Sequence, residues 1–149
     1  MTEVLFYHLQ RQPLERVLPN LVEKTLARGW RAVIQSGSAE RLDALDMALW
    51  TYSDSSFLPH GTRRDGQAEL QPVYLTTTSD NPNGATVRFL VDGARIEDLT
   101  GYARVVYLFD GNDPAAVAKA RAAWAAAKAQ GCGVTYWQQG EGGRWEKRQ

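Results

Sequence analysis

The chain has 149 residues, 44% hydrophobic and 23% charged, a mixture that fits one ordinary globular domain. Lys plus Arg and Asp plus Glu each number 17, so the formal net charge is zero. That balance argues against a general nucleic-acid binder, which carries a broad basic field, though not against a local basic patch.

Glu3 to Leu9 is rich in β-branched and aromatic residues and reads as a buried strand that Pro13 closes off. From Leu14 the apolar residues Leu14, Val17, Leu18, Leu21, Val22 and Leu26 fall at helical spacing, with Gly29 as the stop. Pro19 interrupts that helix by removing one backbone donor. Arg31 to Gln35 is a second strand. Ser36-Gly37-Ser38 is a turn whose Ser38 caps a second helix, carried by Leu42, Leu45, Leu49 and Trp50 and ending near Tyr52. Ser53 to Gly66 reads as a long loop, of the kind usually tied to function or covered by something.

Pro72 to Thr77 reads as a third strand, Thr86 to Val91 as a fourth and Arg104 to Phe109 as a fifth. Asp80-Asn81-Pro82-Asn83-Gly84 is a strong turn signal. Asp113 and Pro114 open a long Ala-rich helix that Gly131 ends, with proline in the first turn and glycine past the end. Gly133 to Gln138 is the last strand. The alternation predicts a single-domain α/β three-layer sandwich over residues 1–138, with a mainly parallel central sheet. Residues 139–149, Gly-rich and charged, read as a flexible C-terminal tail. No stretch approaches the ~20 apolar residues of a membrane span, and no leader pattern opens the chain. With one cysteine, Cys132, and no zinc spacing around His8 or His60, the expected setting is reducing and cytoplasmic, with no metal and no cofactor.

Such a fold suggests nucleotide binding, so the turns after the strands were read for it. A phosphate loop needs a glycine-rich turn with Lys-Ser/Thr opening the helix. After the first strand stands Gln10-Arg11-Gln12-Pro13, and after the second Gln35-Ser36-Gly37-Ser38, so neither fits. Asp43 and Asp46 share a helix face beside the leucine stripe and read as a solvated flank. His60 lies near Ser55, Ser56 and Asp65, but the elbow of a Ser-His-Asp hydrolase is missing. No catalytic residue emerges.

Two places carry aromatics that a core alone does not explain. Trp50 ends a helix and Phe57 follows it in a polar loop; they either fold onto the core or form a patch that a partner buries. On the long helix, Arg121, Trp124 and Lys128 share one face among alanines. Trp124 reads either as the core anchor of a weakly apolar helix or as the floor of a site for an apolar side chain beside a carboxylate. Val117 suits both roles.

The residues that carry a family likeness are Phe6-Tyr7-His8-Leu9, then Leu45-Asp46-Met47-Ala48-Leu49-Trp50 with Ser56-Phe57-Leu58-Pro59-His60, and the fifth strand with its helix and Val134 to Gln138. The chain resembles the chi subunit family of bacterial DNA polymerase III holoenzyme, in which Asp-x-x-Leu-Trp is followed by Phe-x-Pro-His. The resemblance implies a mononucleotide-binding-like fold without a phosphate loop, and a non-catalytic accessory subunit of the clamp-loader complex in DNA replication. It implies a psi-subunit interface at Trp50, Phe57, Leu58 and Pro59. It also implies a site for the acidic, Phe-ended C-terminal tail of single-stranded DNA-binding protein (SSB) at Val117, Arg121, Trp124 and Lys128. Where the family carries a further lysine on this face, the chain has Ala125. DNA would then be reached indirectly, at the replisome. The competing expectations are a nucleotide-binding enzyme with a degenerate site, and direct binding of single-stranded nucleic acid through Trp124, Trp137, Arg121 and Lys128.

Overall fold

The structure is a computed structural model. It describes residues 2–10, 12–51, 61–62, 68–99, 101–139 and 144–148, with the backbone alone at 50, 51, 61, 62 and 68. In chain order the elements are β1 (Glu3–Leu9), α1 (Leu14–Ala27), β2 (Ala32–Ser36), α2 (Ala39–Thr51), β3 (Gly61–Thr62), a 3-10 turn (Ala68–Leu70), β4 (Val73–Thr76), β5 (Val87–Val91), β6 (Arg104–Asp110), α3 (Pro114–Ala129), β7 (Gly133–Gln139) and β8 (Trp145–Lys147). Among the described residues the strands form one sheet in the order β3-β4-β2-β5-β6-β1-β7-β8. Every pairing is parallel except β7 with β8. The expected α/β sandwich is therefore the observed one.

Parallel strands need cover on both faces, and their sequences show it. Val4, Leu5 and Phe6 of β1, and all of β2, β4 and β5, are buried without alternation. On one face α1 and α2 lay Leu14, Val17, Leu18, Val22, Leu45 and Leu49 over Leu5, Ile34, Leu75, Phe89 and Val106. On the other face α3 brings Ala120 and Ala127 against Val4, Phe6, Val105 and Tyr107, with Leu90, Ala94 and Leu99 beside them. The α1 helix runs through Pro19, which is buried, and ends before Gly29 at φ 79.

Two sequence expectations are corrected. Within the Ser53–Gly66 stretch, Gly61–Thr62 form β3, which pairs in parallel with Tyr74 and Leu75. Within the 139–149 stretch read as a loose tail, Trp145–Lys147 form β8 against β7. Both are short edge strands, held by backbone pairing rather than by an apolar pattern. Trp145 also packs edge-on against Tyr7, with centroids 4.9 Å apart.

At the centre of the α3-side face lies an arginine. Arg88 of β5 has no solvent exposure. Its Nε and Nη2 donate to Gln35 Oε1 (3.0 and 2.5 Å), Nη2 also to the Thr78 carbonyl (2.7 Å), and Nη1 to the Asp80 carbonyl (2.9 Å) and the Tyr102 hydroxyl (3.0 Å). A buried cation is tolerable only when its donors are met, and here each guanidinium nitrogen has an acceptor. Replacing it strands Gln35, two carbonyls and Tyr102. Arg88→Ala should therefore lower stability by roughly 3 kcal/mol or more in urea denaturation. Arg88→Lys should recover only part of that, because an ammonium cannot span the same acceptors.

Candidate functional site

The crevice at the carboxyl ends of parallel strands is where α/β folds hold ligands. Here a cleft of about 1220 Å³ lies there, lined among others by Leu9, Asp92, Tyr107, Asp110, Lys119 and Ala123. The turn after β2 cannot cradle a phosphate. A Cβ on Gly37 would lie 2.2 Å from the Asp92 carbonyl oxygen, so this glycine serves close packing of two backbones. Asp92, at φ 52, receives a hydrogen bond from the Ser36 hydroxyl (3.1 Å) and from Arg41 Nε (3.3 Å). Arg41 also pairs with Glu15, in the first turn of α1. Asp113 caps α3 by accepting from the Ala115 N–H at 3.0 Å. The polar groups around the crevice are thus joined to one another, and carboxylates stand beside the helix N-termini where a phosphate would need donors.

The second region is α3 itself. Between Pro114 and Ala129 it carries Lys119, Arg121 and Lys128 and no acidic residue. The structure places Val117, Arg121, Trp124 and Lys128 along one flank, on the side toward β7, away from the cleft. Arg121 and Lys128 are exposed, while Val117 and Trp124 are half-buried. The Trp124 ring tilts against Phe6 (centroids 5.4 Å) and meets Tyr136 edge-on (6.0 Å). The Lys128 ammonium lies 5.1 Å from the Trp124 ring centroid, a cation–π distance. One part of Trp124 anchors the helix to the sheet, as the core reading expects, and the other forms surface.

Sequence reasoning missed the neighbours that complete this surface. Tyr136 of β7, Phe109 of β6 and His8 of β1 form an aromatic cluster across three adjacent strands. The Tyr136 hydroxyl and His8 Nδ1 share a hydrogen bond. Burial raises the Tyr136 pKa, against the opposing pull of the nearby Arg121 charge. The available signal was the period of two along β7, which sets Val134 and Tyr136 on the face under α3. The other candidate patch is less complete. Trp50 lies in the last turn of α2, but its side chain is not among those described, and Phe57, Leu58 and Pro59 lie outside the described residues. Met47, one turn earlier on α2, is 63% exposed. Among the described residues no group of acidic, His or Cys side chains is arranged to hold a metal, and no helix is long and apolar enough to cross a membrane.

The fold is a three-layer α/β sandwich with a crevice at the carboxyl ends of its parallel strands, and the described turn after β2 is not a phosphate loop. Its most distinctive surface is cationic and aromatic. A protein-family model described as "DNA polymerase III chi subunit, HolC" matches residues 1–135. The chain belongs to that family. It is also 32% identical over 108 residues to a protein of Rickettsia prowazekii (strain Madrid E) named "Probable DNA polymerase III subunit chi". That match covers 70% of this chain and 66% of the relative, just under two thirds of its length.

Two outcomes check this geometry. Gly37→Ala should destabilise the fold by about 1–3 kcal/mol in thermal or chemical denaturation, since the methyl group meets backbone rather than a movable side chain. His8 should titrate below the ordinary histidine value of 6.5, because burial disfavours its charge more than Asp110 favours it. Its neutral form then contributes stability that is present above about pH 6.5 and lost as pH falls through the depressed folded value. A folded-state NMR titration placing His8 at or above 6.5 would contradict this.

Proposed function

We propose that the chain is a non-catalytic accessory subunit of the polymerase III clamp-loader assembly. It joins that assembly, through a psi-type subunit, to the C-terminal tail of SSB. The observation that carries the tail reading is the α3 flank. A guanidinium, a half-exposed indole and an ammonium line up on a helix without acidic residues, and their neighbours are alanines that leave the surface open. An acidic segment ending in phenylalanine has the complementary chemistry. Arg121 takes the terminal carboxylate, with two parallel hydrogen bonds available to it. Trp124 and Val117 take the ring, and Lys128 meets an upstream acidic side chain.

Such a small site binds at about the micromolar level and weakens with salt. Several tails on one oligomer would raise the avidity. The psi reading rests on the family motif at Trp50 and Phe57-Leu58-Pro59 and on the exposed Met47 beside it. Trp50 belongs to α2 and the tail site to α3, helices that cover opposite faces of the sheet, which suits a linker.

The test is fluorescence anisotropy of a labelled acidic peptide ending in Phe, titrated with the full chain. Arg121→Ala should weaken binding by about 1.5–3 kcal/mol with little change in stability. Trp124→Leu should weaken it while keeping an apolar anchor for the helix. A peptide lacking its terminal Phe should not bind. Equal affinity of Arg121→Ala and the unaltered chain would overturn the assignment.

A further inference from the structure

The helices cover the sheet unevenly. On the face they share, α1 lies mainly over β2 and β6 and α2 over β2 and β4, so among the described residues β7 and β8 stand at the margin of that cover. That margin carries large aromatic side chains. Tyr7 and Trp137 are register partners whose rings lie 6.4 Å apart and 12° from parallel. Trp145 of β8 meets Tyr7 at 89°. At the other end of the same face, Arg104 opens β6 opposite Glu3, with which it pairs at 3.3 Å. Its guanidinium is 5.6 Å from the ring centroid of Trp30, and that of Arg28 is 5.2 Å from it.

Tyr7, Trp30, Trp137 and Trp145 are all half-buried. Tyr7, Trp30 and Trp145 pack against the core with one part and leave another part at the surface, and four such aromatics on one face exceed what solubility asks. Cations stand beside the rings, Arg28 and Arg104 at Trp30 and Lys147 at Trp137. Arg28 and Lys147 are exposed, and Lys147 is the register partner of Trp137. Glu3 is the acidic residue within this set, and Arg104 neutralises it.

We propose that this sheet face, with Tyr7, Trp137 and Trp145 as stacking surfaces and Arg28 and Lys147 as phosphate contacts, binds single-stranded nucleic acid directly. Unpaired bases offer planar faces to aromatic rings, and the phosphates between them meet the guanidinium and ammonium groups. An acidic peptide would engage the cations but leave the rings without planar partners, so half-exposed rings next to exposed cations favour a nucleic acid. The zero net charge of the chain is compatible with this, because the basic groups are local. It makes the contact weak and salt-sensitive. The face lies across the sheet from α3, so the proposal stands independently of the tail site.

The test is titration of a labelled short oligothymidine with the full chain at low and moderate salt. Saturable binding is expected, with a log–log salt slope of about −0.7 for each phosphate contacted. Trp137→Leu should lower the affinity roughly tenfold. The double variant Arg28→Ala, Lys147→Ala should flatten the salt slope by about 0.7 per cation removed. Because both of its positions are exposed, that double variant decides the matter if Trp137→Leu does not fold, with thermal melting as the check on folding. Three results would overturn the proposal: no binding by the unaltered chain at low salt, binding that neither variant alters, or binding abolished by Arg121→Ala, which would put the nucleic acid on α3.

Discussion

Alanine buries little area, and α3 is mostly alanine, so the covering of one whole sheet face depends on how Trp124 is seated. Ala120 and Ala127 are the residues of α3 that are fully covered. Burying half an indole against Phe6 and Tyr136 removes about 100 Å² of apolar surface, worth about 2–3 kcal/mol. The remaining fixings are at the helix ends. Asp113 caps the start, and at the other end Gln130 donates to the Glu97 carbonyl (2.8 Å) and accepts from the Leu99 N–H (3.0 Å). The same indole is the floor of the proposed tail site. One side chain therefore links folding to recognition, and the alanines that make the helix weakly held also leave its outer surface unobstructed.

Arg88 ties the opposite flank of that face together. It joins β5 to β2 through Gln35, to the Thr78–Asp80 turn through two carbonyls, and to Tyr102 just before β6. The segment leading from β5 to Tyr102 is the one that Gln130 grips. Two separate sets of hydrogen bonds, one at Arg88 and one at Gln130, thus fix the two ends of this segment. In the crevice between these parts, Gly37 packs closely on the Asp92 backbone and carboxylates stand near the starts of α1 and α3. The fold has the outline of a nucleotide-binding domain, while the local chemistry of its switch point is satisfied from within.

The main elements were legible because parallel strands are continuous apolar runs and the helices keep clear three-and-four spacing. The strand boundaries moved by a residue or so. The edge strands β3 and β8 were not legible: two or three residues give no period, and their pairing depends on what β4 and β7 offer. The Arg121, Trp124 and Lys128 stripe was legible from helical spacing alone. The neighbouring cluster of Tyr136, Phe109 and His8 was not, because it depends on which three strands lie side by side. Arg88 left a signal that could have been read: a cation in the middle of the run Val87–Val91, with Gln35 inside another buried strand. A buried polar residue in each of two central strands points to a hydrogen-bonded pair.

The central claim is that the α3 flank is a recognition surface for an acidic, Phe-ended chain terminus. The most direct measurement is NMR mapping of the full-length protein as such a peptide is added. The account predicts shifts concentrated at the Trp124 indole N–H, at the amides around Arg121 and Lys128, and at Tyr136, with the Arg88 region and the β7–β8 face unchanged. Shifts confined to the crevice near Asp92 and Lys119, or none at saturating peptide, would contradict it.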